Sequence, residues 1–456
     1  VQLIRAANSL TAESIQHEIL TLFQTMLLES YANNRNVAWK GGHDEGTYLT
    51  AFREYYLHTG DSLVSKYVFE LIDQAAAWGR KHLHNGYYPF QEVHHGIENY
   101  VIFYAWAYEL DPNNPNLREL LLKAAANLLN PPKQPKWFDW DRNRFTSCFL
   151  GTKRIWKKFT VNIPEHLRLI RLAWLGLAAG GDKQLGTLIK NYTKEWAQLM
   201  AESSELTIAL PQGKSADKET KDFEKAIQKF VGAAPKQITP QTRSEYHIAN
   251  GTPALFLTLY EHTHEKCYLD AVTNIIRPVL SQLASPYAHP LGEHAWQLFQ
   301  MGGLPELPEI IPQLQADVDK FCAQSFQLVF NPEYLWKTSP FKDQIGIRKD
   351  MPAVEFQNLE THAGANIPSP ATLGLLYRMT GEAKYLTLAL EVSMKVLLEA
   401  KTLYGEGRPH GCSSQFIHSF CVGHGRNWGA GYTSTALRVA KGKNCFNIAL
   451  PTILNS

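Results

Sequence analysis

Met379-Thr380-Gly381-Glu382-Ala383-Lys384-Tyr385-Leu386 is the stretch that decides the fold, because variants of it punctuate the whole chain. His262-Thr263-His264-Glu265-Lys266-Cys267-Tyr268-Leu269 shares its Thr-x-Glu-x-x-Tyr-Leu pattern, and His58-Thr59-Gly60-Asp61 carries the centre of it. Leu110-Asp111-Pro112-Asn113-Asn114, Gly180-Gly181-Asp182-Lys183-Gln184-Leu185 and Met301-Gly302-Gly303-Leu304-Pro305-Glu306-Leu307 stand in equivalent places. All follow an apolar helical run and hand over to another helix. In most copies Gly supplies the left-handed residue that ends one helix, and Asp, Glu or Pro starts the next. Hairpins strung this way predict an all-α chain closed into a ring, an (α/α)6–7 toroid.

Working outward, the segments before the turns are aromatic and nearly apolar on all sides: Gly46–Leu57, Ile97–Leu110, Leu167–Ala179, Ile248–Glu261, Leu291–Met301 and Pro370–Met379. Those after the turns are amphipathic: Ser62–His84, Leu117–Leu129, Leu185–Met200, Tyr268–Leu283, Glu309–Phe326 and Tyr385–Lys401. A helix that is apolar all round is buried, and one with a single apolar stripe lies on the surface. The first set is therefore expected as inner helices, with Tyr55, Phe103, Tyr104, Trp174, Phe256 and Leu375 in the core, and the second set as outer helices. Thr11–Ser30 adds an outer helix and Tyr432–Val439 an inner one, giving six or seven pairs. The expected organisation is one domain over 1–456, with loop excursions at 202–245 and 331–359 and a C-terminal loop at 402–431.

Composition narrows the function classes. Of 456 residues 45% are hydrophobic, enough for a large core. A formal net charge of +2 without a basic run argues against nucleic acid as a partner. No apolar stretch reaches the ~18 residues that span a bilayer. The cysteines (Cys148, Cys267, Cys322, Cys412, Cys421, Cys445) are too dispersed for a disulfide scaffold. The chain opens at Val1 without a signal-peptide pattern, which leaves a cytoplasmic protein and one secreted after processing both open. Asn191-Tyr192-Thr193 and Asn250-Gly251-Thr252 fit the glycosylation triplet. Oligomeric state is not legible.

In a ring of this kind all inner helices run the same way, so the segments leading into them converge at one mouth. These segments are Trp39–Glu45, Gln91–Asn99, Asn162–His166, Glu245–Asn250, His289–His294 and Asn358–Asn366, and all of them carry a His and a Glu within about a turn. Asp and Glu ahead of a helix also act as N-caps and dipole partners, which accounts for Asp44 and Glu165 without chemistry. Capping does not call for His, Trp or Tyr, so the six together point to a polar floor. His58, His262 and His264 fall in turns at the other end and read as structural.

Carboxylates beside aromatics suit a saccharide, which offers hydroxyls to polar side chains and apolar ring faces to Trp and Tyr. Hydrolysis needs two facing carboxyl groups, one kept protonated. Glu360 is the leading candidate, with Glu98 or Glu293 as the protonated partner. Elimination on a uronide needs instead a base such as Tyr246 or His247 and neutralising groups such as Asn250, His94 and His95. Substrate contacts are expected from Trp39, His43, Asp44, His94, His95, Asn250, His294, His362, Asn366, Arg426 and Trp428. Hydrolysis leads, elimination is the alternative, and a non-catalytic helical scaffold or a terpene-cyclase-like toroid stands behind both. Asp139-Trp140-Asp141 is the acidic piece that keeps the cyclase in view. The hydrolytic reading needs no cofactor. The run from Arg408 to Asn427 holds three His and two Cys, ligand types that zinc would take.

On these helices and turns the chain resembles the six-hairpin toroid carbohydrate enzymes, a group of glycosidases and polysaccharide lyases. Within it, Gly42-His43 and the apolar helix that follows are similar to a segment of the β-L-arabinofuranosidases that use a zinc-bound cysteine nucleophile. That resemblance implies zinc ligands at Glu360 and His362 and a nucleophile at Cys421, with His424 or His362 lowering its pKa. His362 stands where the family has Cys, and Val422 replaces one of its paired cysteines.

Overall fold

The computed structural model describes residues 11–43, 45–89, 91–153, 163–202, 240–284, 291–323 and 370–403. The described chain is mostly helical, with four two-residue strands. No described helix is long and apolar enough to cross a membrane. The chain divides into two compact units, the first built from residues 1–38, 45–67 and 280–445 and the second from 39–44, 68–279 and 446–456.

The turns explain why the helices break where they do. Thr59, Thr263 and Thr380 each donate the side-chain hydroxyl to the carbonyl four residues back (2.8, 2.7 and 2.7 Å). The same oxygens accept the N–H of Asp61, Glu265 and Glu382 two residues ahead (3.3, 3.2 and 3.2 Å). One side chain thus satisfies groups of the ending helix and of the turn, a reason for Thr that helix propensity alone does not give. Between them Gly60 and Gly381 take the left-handed conformation (φ 66° and 74°), as do Gly180 and Gly302 in their own turns. In the 263 copy it is His264 that sits at φ 56°, its N–H bonded to the Tyr260 carbonyl.

In the second unit the helices Pro115–Ala126, Ile163–Ala178, Gln184–Glu202, Thr252–Thr263 and Lys266–Ile276 pack in two sets. Gln184–Glu202 lies along Lys266–Ile276, both amphipathic, and the apolar Ile163–Ala178 touches the apolar Thr252–Thr263. Trp174, Phe256 and Phe103 are buried in this unit. In the first unit Ala12–Asn34 packs against Ala383–Leu403, so the first described helix meets the last described one. Leu291–Gln300 crosses Pro370–Thr380 closely: a Cβ on Gly292 would meet the Ala371 carbonyl oxygen at 2.4 Å. Tyr55 and Leu375 are in this unit's core, and Tyr104 in that of the other, as the pattern predicts.

Two of the expected inner helices are not continuous. Gly46–Leu57 resolves into a 3-10 turn at Thr47–Phe52 followed by Arg53–Thr59, and Ile97–Leu110 opens into a π turn at Tyr100–Tyr104 before Ala105–Leu110. Sequence reading also missed the small β elements. Gln91–Glu92 pairs antiparallel with Phe149–Leu150, and Phe138–Asp139 with Arg144–Phe145. The Asp139-Trp140-Asp141 piece belongs to that second hairpin, where Asp139 Oδ1 accepts the N–H groups of Asp141 (3.1 Å) and Arg142 (3.2 Å). Those bonds are ordinary turn chemistry. The helix expected at Tyr432–Val439 and most of the three loop excursions lie outside the described residues.

Candidate functional site

The second unit gathers the first two lead-in segments around one carboxylate. Glu98 sits at the start of the interrupted apolar helix and is 1% exposed. Its Oε2 lies 2.8 Å from His43 Nδ1. The His43 and His95 rings pack with centroids 4.4 Å apart, and donor atoms of His43, His95 and Glu98 all fall within 4.8 Å of one another. Both imidazoles are about one-third exposed, so they form the accessible face over a buried acid.

Local sequence explains how the three meet. Gly41 takes φ 85°, and a Cβ there would lie 2.1 Å from Trp78 Cζ2, so only Gly lets the loop pass under the indole. The next carbonyl, that of Gly42, accepts from Tyr88 Oη (3.0 Å) and Asn99 Nδ2 (3.1 Å), which fixes His43. On the other side Gln91 and Glu92 are held as a strand against Phe149–Leu150, and Val93 N–H donates to the Cys148 carbonyl at 2.7 Å. Glu92 Oε1 contacts His95 Nδ1 and orients that ring. Asn99, next to Glu98, is also buried. Beyond it the π turn begins, and Arg171 Nη2 donates to the Val101 carbonyl at 3.2 Å. Burial, then the neighbouring Arg168, pushes the Arg171 pKa down to about 9, so the guanidinium is still charged at neutral pH. Trp78 and Tyr88 stand beside the loop, partly exposed, with ring centroids 5.8 Å apart. Trp39 is buried.

The remaining expected residues divide by place. His247 and Asn250 belong to the same unit and are fully buried. His247 Nδ1 is 3.2 Å from Thr252 Oγ1, and burial, helped by Arg243, pushes its pKa down to about 3. So weak a base is a poor proton acceptor at neutral pH, which counts against the eliminating role expected for it. Burial of Asn250 likewise removes it as a glycan acceptor. Glu293 and His294 belong to the first unit, both buried. Glu293 Oε1 accepts from Arg378 Nη1 at 3.0 Å. Burial lowers the His294 pKa to about 4.

His58 donates its Nδ1 to the Glu54 carbonyl (2.8 Å), a helix-end contact in keeping with its structural reading. Asp44, Glu360, His362, Asn366, Cys421, His424, Arg426 and Trp428 lie outside the described residues, as do the side chains of His94 and Tyr246. Among the described cysteines Cys148 is paired with His166 (Sγ to Nε2, 3.5 Å), but burial and nearby Glu165 raise the thiol far above its ordinary value. It is an inert packing thiol. Glu92 is the site residue that sequence reading passed over, although it begins the segment that supplies His95 and Glu98.

Comparison with protein-family models, with curated proteins and with solved structures finds no match.

Proposed function

We propose that the chain is an (α/α)6–7 toroid that cleaves a glycosidic bond in an oligo- or polysaccharide, with Glu98, His43 and His95 on its floor. The observation that carries this reading is the meeting of His43, His95 and Glu98, drawn from two segments that each run into an apolar helix. Further support comes from the alternation of apolar and amphipathic helices and from the packing of Ala12–Asn34 on Ala383–Leu403, a contact that a closed ring requires. A buried carboxylate bonded to a part-exposed imidazole is a proton-transfer pair, and the part-exposed Tyr88 beside it offers an aromatic surface for a sugar ring. In the hydrolytic scheme Glu98 serves as one of the two carboxyl groups.

The His43–Glu98 bond also favours a second reading, elimination on a uronic-acid-containing glycan. A carboxylate that orients an imidazole makes it a better base, so His43 takes the place in that scheme that His247 is too weak to fill. A glycan-library assay with product analysis separates the two, because elimination leaves an unsaturated uronide with a short-wavelength ultraviolet absorption that hydrolysis does not produce. Under either scheme Glu98→Gln is expected to fold and to lose at least ~10²-fold in kcat. Full activity in Glu98→Gln and His43→Ala would remove this site from the reaction.

A further inference from the structure

We propose that His43, His95 and Glu98 form a binding site for a divalent transition-metal ion of the zinc class. The three donor atoms lie within 4.8 Å of one another. Two donors bound at ~2.1 Å to one ion are at most about twice that distance apart, so side-chain shifts of about an ångström close the set. Two imidazoles and one carboxylate make a mixed N/O set suited to zinc and its first-row neighbours and poorly suited to Mg2+ or Ca2+, which take oxygen.

The outer contacts are those such a site needs. Glu92 against His95 Nδ1 holds that ring in the carboxylate–histidine arrangement that orients metal ligands. Asn99 and Tyr88 fix the Gly42 carbonyl immediately before His43, so the loop ligand is held before any ion arrives. Burial of Glu98 places a carboxylate where a cation compensates its charge, and the one-third exposure of both imidazoles gives an ion a way in. Three protein ligands leave open positions for water or a substrate hydroxyl, the pattern of catalytic and not of structural zinc. That last step rests on the saccharide reading, in a form where Glu98 and His43 act as ligands and not as the proton-transfer pair; the binding itself does not rest on it.

The test uses the full chain without a histidine tag, stripped by a chelator and titrated calorimetrically with Zn2+ alone. One ion per chain at a roughly micromolar or lower Kd is expected. His43→Ala and His95→Ala, with circular dichroism unchanged, should each weaken binding at least ~10-fold, and Glu92→Gln should weaken it ~10–100-fold. Co2+ bound in place of Zn2+ should give visible absorption that both His variants abolish. Absence of binding overturns the proposal, as does one-to-one binding retained in the His43→Ala/His95→Ala double variant. Because no glycan enters the titration, a metal site without glycan cleavage and glycan cleavage without a metal site are read as separate failures.

Discussion

Gly41 shows how much a single residue does for the site. Its left-handed backbone and the 2.1 Å approach to Trp78 leave no room for a methyl group. Gly41→Ala is expected to cost ~2–4 kcal/mol, from backbone strain and overpacking together, and, under the proposed function, to reduce glycan cleavage further by moving His43. Urea unfolding and the glycan assay on one preparation measure both. At this scale the sequence was informative about residue type and poor about environment. His43, Glu98 and His95 are named by their position ahead of apolar helices. Nothing in the letters distinguishes them from His247, which burial turns into a neutral core residue, or from Glu293, which Arg378 claims across 85 residues of sequence. Those partners come from distant elements, and single-residue reading has no access to them.

Among the elements, the Thr-x-Glu turns are where local sequence and structure agree best, because their hydrogen bonds span at most four residues. Each copy makes a separate prediction. Nothing lies within 4 Å of a Cβ added to Gly381, so Gly381→Ala should lose only the backbone term, ~1 kcal/mol. His264 occupies the same position with φ 56°, and His264→Gly should gain up to ~1 kcal/mol, the relief of left-handed strain less the extra freedom of Gly in the unfolded chain. A thermal-denaturation series over the two variants checks the opposite signs. Phe103→Ala, at a fully buried position of the π turn, should cost ~3–5 kcal/mol. The π turn itself and the short strands around 91 and 149 were not legible. A two-residue strand has no periodicity, and a π turn keeps the apolar run of the helix it interrupts.

For the molecule as a whole, burial of imidazoles sets the response to acid. His166 is held near pKa 4, lowered by burial against the opposing pull of the Ser147 carbonyl and with Arg144 adding to the lowering. His247 is near 3 and His294 near 4, by burial first in each case. All three lie below the ordinary 6.5, so the unfolded chain takes up protons that the folded chain refuses. Stability from this source is complete above pH ~6.5 and is lost as pH falls towards ~4, at ~1.4 kcal/mol per pH unit for each His. Urea titrations at several pH values should give a slope of that sign. His166→Gln should lower the slope by about one proton even if it is less stable overall. The helical class was readable from the repeated turns because they recur along the chain, whereas the closing of a ring depends on contacts between its ends.

The π turn after Glu98 acts as a phase adjuster. An α-helix advances about 100° per residue, so one residue too many or too few changes which face a side chain presents to everything upstream. Deleting Ile102 would restore a plain α-helix with its apolar content intact, and Ala105–Leu110 would keep its packing. Glu98 would then be turned about a quarter of a revolution away from His43, an acid and a base still present in the chain but out of phase. Such a deletion should leave the circular dichroism spectrum unchanged while abolishing metal binding, so a chain with this turn and one without it would share a core and differ in whether His43 and Glu98 meet.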